Sequence, residues 1–176
     1  DGSKGTGMAP AGASRGSREA LELRDGGELL NGLDVSQAVS QVNHVIAPSL
    51  VGMDALDQSQ ADHMMIELDG TPHKSRLGAN GMIATSLAIA QAAAASQGQA
   101  LWQYLSQGQE VRLPLPQIQI FGGGAHAGRR VDIQDFLVMP IGAQSFDEAL
   151  VMVANVYHAA GQLMASQGKR HGVADE

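Results

Sequence analysis

Apolar residues recur at helical spacing over Val35, Ala38, Val39, Val42 and Ile46, and this spacing predicts an amphipathic helix. Pro48 is expected to end it, since proline lacks an N–H and crowds the preceding turn. Asp57 to Leu68 is a second predicted helix, with Asp57 as N-cap and Gln60 in the capping-box position. Asn80 to Gln97 is Ala-rich and apolar over most of its circumference, the pattern of a helix with several packed neighbours. Gly98 is a natural stop for it, and Leu101 to Leu105 adds a short helix. Upstream, Ala20, Leu21 and Leu23 mark a strand-like run over Glu19 to Arg24, broken by Asp25-Gly26-Gly27. Gly7 to Gly16 reads as a mobile loop after a short strand.

Beyond residue 108 the pattern changes. Leu113 to Phe121 reads as a strand with Pro114 and Pro116 at its start, Gly122 to Gly128 as a glycine-rich loop, and Ile133 to Ile141 as a second strand. Ser145 and Glu148 form a predicted capping box. The helix they open carries Phe146, Leu150, Val153, Val156, Tyr157, Ala160, Leu163 and Met164 on one face and ends near Gly168. The expected architecture is a helical layer on short strands, residues 1–108, followed by a strand–loop–strand–helix unit, residues 109–176. No internal repeat is visible.

Composition narrows the function classes. The 176 residues are 44% hydrophobic but only 3% aromatic, so the core must be built from Ala, Val, Leu, Ile and Met. A net charge of -7, with Arg129-Arg130 and Lys169-Arg170 the only adjacent basic pairs, argues against a nucleic-acid partner. Absence of cysteine removes disulfides and thiolate metal sites and fits a cytoplasmic protein. The longest mainly apolar stretch, Met82 to Ala95, is too short and too polar to span a bilayer of about 30 Å. Asp1-Gly2-Ser3-Lys4-Gly5 has a turn's composition and no initiator Met, so the chain is expected to be cut from a longer one.

Three constellations are candidates for chemistry. Ala11 to Gly16 is a Gly/Ser loop of the kind that closes over substrates, and Ser14 offers oxygen to a hard metal; an ordinary surface loop has the same composition. Gly122-Gly123-Gly124-Ala125-His126-Ala127-Gly128 formally matches a dinucleotide fingerprint, but that motif must open a helix, and the alternation of Arg129 to Phe136 reads as strand. The glycines are instead expected to admit a small ligand close to the backbone, with His126 at the tip as a donor to phosphate or alkoxide. Asp132, Asp135, Asp175 and Glu176 supply carboxylates, Asp135 at the start of an apolar strand, where barrel enzymes place catalytic groups. Each alone also reads as a solvated acid. His63-Met64-Met65 and His158 fall in helices, where a Met stripe is usually core.

Taken in order, these blocks resemble the enolase family along nearly the whole chain. They are Gly12-Ala13-Ser14 with Gly16, Glu19 to Asp25, Met65 to Thr71, Lys74 to Asn80, Leu113-Pro114-Leu115-Pro116, Gly123 to Gly128, Gln134-Asp135-Phe136, Glu148-Ala149 with Val156-Tyr157-His158, and Gly172 to Glu176. The resemblance implies an α+β N-terminal domain, a short β-meander with helices lacking its first strand. It is followed by the opening strands and first helix of a β/α barrel, truncated. It implies reversible dehydration of 2-phosphoglycerate to phosphoenolpyruvate with Mg2+, and a homodimer when intact. By position, Ser14 matches a metal-ligating lid serine, His126 a histidine near the substrate phosphate, Asp135 an active-site glutamate that contacts substrate, and Glu176 the glutamate that assists hydroxide departure. The base lysine and main metal ligands belong to later barrel strands, so the isolated fragment is expected to be inactive.

Departures cluster near that site. Enolases usually carry Ser at Ala11, Thr at Arg15, Asn at Gly122, Ser at Ala125 and Glu at Asp135. Loss of one methylene withdraws the Asp135 carboxylate by roughly 1 Å, and a shift of that size can cost about 10²-fold in rate. An enolase relative acting on another phosphorylated substrate, as carboxyphosphonoenolpyruvate synthase does, and a non-catalytic relative both remain open.

Overall fold

The structure, a computed structural model, describes residues 1–12, 15–170 and 172. It divides into two compact units, residues 1–110 and 111–176.

The first unit is helical. α1 (Ser36–Gln41) runs through a π-helical turn (Val42–Ile46) into α2 (Ala47–Leu50). Pro48 therefore does not end the helix, contrary to expectation. It sits in the first turn of α2, where a missing N–H is tolerated, and the widened turn ahead of it relieves the crowding a proline ring causes. The continuation buries Ile46 completely. α3 (Gln58–Asp69) has the predicted N-cap, since Asp57 Oδ1 accepts from the Gln60 N–H at 2.9 Å, but the capping box is not closed: Asp57 N–H donates to Asp54 O at 3.0 Å rather than to the Gln60 side chain. It stops at Gly70, whose φ of 68° lies in the left-handed region.

α4 (Ala79–Ser96) is the hub, packing against α1, the π-helical turn, α3 and α5 (Leu101–Ser106). One side is buried through Met82, Ala90, Ala93 and Ala94, while Ile83 and Leu87 on the other are exposed, so the helix is less enclosed than its sequence suggests. Its end is a Schellman motif: Gly98 N–H donates to Ala95 O at 3.0 Å and Gln99 N–H to Ala94 O at 3.0 Å. The core is Ile46, Met65, Leu77 and Met82, flanked by Val42, Val45, Leu50 and Leu68. Of the Met64-Met65 pair only Met65 is core.

No strand forms among the described residues of this unit. Residues 21–25 are nevertheless tied down: Leu21 N–H donates to His73 O, Ala79 N–H to Leu21 O, and Asn80 bonds both backbone groups of Leu23. Residues 5–7 lie against α4 so closely that a Cβ at Gly7 would fall 1.8 Å from Ala84 O. The expected short strand before the loop is replaced by this backbone-on-helix contact.

The second unit holds β1 (Ile118–Gly122), β2 (Asp135–Val138) and α6 (Phe146–Ser166). The strands pair antiparallel, with Gln119 opposite Leu137, Phe121 opposite Phe136, and Ile120 bulged between. Both are shorter than predicted. The stretch through Pro114 and Pro116 cannot donate a regular ladder and stays outside β1, while residues 129–134 turn rather than extend. Ser145 caps α6 by accepting from Glu148 N–H at 3.1 Å, and Glu148 reaches back one residue further than the box predicts, to Gln144 N–H at 2.7 Å. α6 packs on β1, burying Ala149 and Val153.

Candidate active site

The β1–loop–β2 ribbon positions the site. After β1 the chain enters a 3-10 turn, Gly124–Ala127, with Gly124 at φ 59°. Gly123 N–H donates to Gln134 O at 2.6 Å and Gly124 N–H to Val131 O at 2.7 Å, so the loop folds back on the start of its own return segment. A Cβ at Gly123 would lie 1.9 Å from Ile133 O. Here the structure revises the expectation drawn from the glycines. The close approach at Gly123 is to the chain's own backbone, and that packing is what aims the turn.

His126 stands on this turn, half-buried, in the wall of a cavity of about 830 Å3 that also includes Gln119, Gly122, Arg130, Phe136, Tyr157 and Lys169. A neighbouring cavity of about 390 Å3 adds His158 and Arg170. Among the described residues, Arg130, Lys169, Arg170 and two histidines line these spaces and no acidic residue does, although the chain as a whole is acidic. Phe121 and Phe136 brace the wall edge-to-face, with ring centroids 6.4 Å apart.

Asp135 is placed differently. It pairs with Gly122 across the ribbon, is exposed, and accepts from Gln119 Nε2 at 2.8 Å through Oδ1. The cavity wall contains His126 and not Asp135. Gln119 connects the two, since it lines the cavity and holds the carboxylate. Sequence reading missed Gln119; its only signal was its place inside the strand leading to the glycine loop. Ser14 and Glu176, with Asp175, lie outside the described residues.

In the first unit, Glu22 and Arg24 form an ion pair at 2.7 Å. The Arg24 hydrogen bond lowers the Glu22 carboxyl below its ordinary value; burial opposes this, and the Gly12 N–H and the charges of Arg24 and Arg15 add to it. Asp25 accepts from Gln37 N–H and Ser36 N–H, both at 2.8 Å, capping α1 from a distant point in the chain. The Gln37 bond leads the lowering of its pKa.

Among the described residues no group of three or more His, Asp or Glu side chains is placed to hold a metal ion. A wall of cations also suits an anion better than a metal. The described residues therefore do not by themselves fit a metal centre. No helix among them is long and apolar enough to cross a membrane.

Comparison with known proteins agrees with this architecture. Residues 1–105 match the family model described as "Enolase, N-terminal domain", and residues 110–176 the model described as "Enolase, C-terminal TIM barrel domain". The chain is 51% identical over 170 residues to a protein named "Enolase" from Methanothrix thermoacetophila, which covers 97% of this chain. It is 48% identical over 176 residues to "Enolase 1" of Desulfitobacterium hafniense, covering all of it. The chain belongs to the enolase family, as its N-terminal domain followed by the start of the barrel domain. It spans 40% of the length of each of these relatives.

Proposed function

We propose that this chain is part of a carbon–oxygen lyase that reversibly dehydrates 2-phosphoglycerate to phosphoenolpyruvate. The observation that carries the reading is identity near one half, sustained across both domain matches, to two proteins named as enolases. The cation-lined cavity around His126 supports it, because a phosphorylated carboxylate is the kind of ligand such a wall attracts. In this reading residues 1–108 are the N-terminal domain and 109–176 the opening of the barrel. His126 donates to the substrate phosphate. Asp135 is the active-site acid beside the substrate, held by Gln119. Glu176 delivers the proton that lets hydroxide depart. The proposed cofactor is Mg2+, with Ser14 as the ligand from this chain and the others supplied by the longer protein, together with the base lysine. A cytoplasmic homodimer completes the proposal.

A second reading is favoured by one observation. Asp135 stands where the resemblance implies Glu, and its carboxylate is engaged by Gln119 outside the cavity wall. That suits an enolase relative with a different phosphorylated substrate, or one without catalysis. The test is turnover of 2-phosphoglycerate by the longer protein with and without Mg2+. Magnesium-dependent turnover is expected, and its absence from intact protein would sink the lyase reading. Asp135→Glu then separates the alternatives. It should raise activity if the site is merely weakened and leave it unchanged if the substrate differs. Residues 1–176 alone are expected to show no turnover.

A further inference from the structure

Four hydrogen bonds connect the Gly/Ser loop to the start of α1, and sequence reading assigned none of them. Gly12 N–H donates to Glu22 Oε1 at 3.2 Å. The other oxygen, Oε2, accepts from Arg24 Nε at 3.1 Å and from Arg24 Nη2 at 2.7 Å. The remaining arm of the guanidinium, Nη1, donates to Leu33 O at 2.8 Å. Next to it, Asp25 N–H donates to Asp34 O at 2.8 Å, and the Asp25 carboxylate caps α1. Each Glu22 oxygen thus has a separate task. One holds the loop, and the other is held by a cation that is itself fixed to the turn before α1. The planar Arg fork suits this better than a lysine would, since a point-like ammonium cannot serve Oε2 and a carbonyl in one fixed plane.

We propose that Glu22 is the positioning residue of the Gly/Ser loop, fixing it at Gly12 while Arg24 locks Glu22 to the turn before α1. This inference does not depend on the catalytic reading, because it concerns how the loop is held and is read without substrate.

Amide hydrogen exchange on the whole chain tests it, comparing peptides across residues 8–16 with peptides from α3 and α4. Glu22→Ala is expected to speed exchange at Gly12 about 2- to 10-fold, the range for losing one net hydrogen bond, with α3 and α4 unchanged. Glu22→Gln, which keeps an acceptor for Gly12, should restore part of the protection. Arg24→Lys keeps the charge and loses the fork, and should give an intermediate rate. Wild-type exchange in Glu22→Ala, or equal acceleration throughout α3 and α4, would overturn the proposal. Should Glu22→Ala fail to fold, Arg24→Lys decides on the same criterion.

Discussion

The two units treat apolar surface in opposite ways. In residues 1–110, Ile46, Met65, Leu77 and Met82 close a core, and the buried Asp69 carboxylate is fully engaged at its edge. Asp69 accepts from Thr71 N–H at 2.9 Å, from the Thr71 hydroxyl, from Leu77 N–H at 2.8 Å and from Arg76 N–H at 3.1 Å. Among the described residues of 111–176 the buried apolar side chains are Pro140, Ala149 and Val153, while Leu150, Val151, Val156, Tyr157 and Leu163 of α6 remain exposed. A two-stranded ribbon is marginal in water, and one helix has too little sheet to cover here. A unit can therefore have well-formed elements and strong caps yet leave its apolar face open. The unit matches the barrel-domain model, and the chain spans 40% of the length of its relatives.

The largest effect should come from truncating matched leucines on the two sides of that contrast. Leu77→Ala, at a residue 0% exposed, should cost about 2–5 kcal/mol of unfolding free energy. Leu150→Ala, at 44% exposed, should change stability by no more than about 0.5 kcal/mol. Denaturant titration of the chain reads both, and comparable losses would erase the distinction between the units.

Next is Asp69→Asn, expected to cost about 1–3 kcal/mol because an amide cannot accept from all these donors. The same residue gives a pH prediction. Burial pushes the Asp69 carboxyl up, but the bonds from Thr71, Leu77 and Arg76 outweigh this and hold it below its ordinary 3.8. A depressed folded-state pKa adds stability that is complete above the unfolded value and disappears as pH falls through the folded one. The first unit should therefore weaken below about pH 4, and Asp69→Asn should flatten that slope in acid titrations followed by circular dichroism.

The smallest effect sharpens the contrast from the other side. Gly161 lies within α6, and a methyl group added there would meet nothing within 4 Å, so Gly161→Ala should stabilise that helix by about 0.5–1 kcal/mol. At Gly7 the added methyl would meet Ala84 O, so Gly7→Ala should instead destabilise. Thermal melts of the two variants should move in opposite directions.

What the sequence determined by itself was local or ordered along the chain. Asp57 and Ser145 were legible as caps because donor and acceptor lie three residues apart, within one helical turn. The glycine loop, His126 on it and the succession of family blocks were legible for the same reason. Tertiary structure alone decided the rest. Pro48 stays inside a helix because a π-helical turn makes room and Ile46 is buried beside it. Gly123 faces Ile133 rather than a ligand, Gln119 takes Asp135, and Glu22 takes Gly12. Such partners are chosen by how distant segments close on one another, and residue spacing carries no record of that closure.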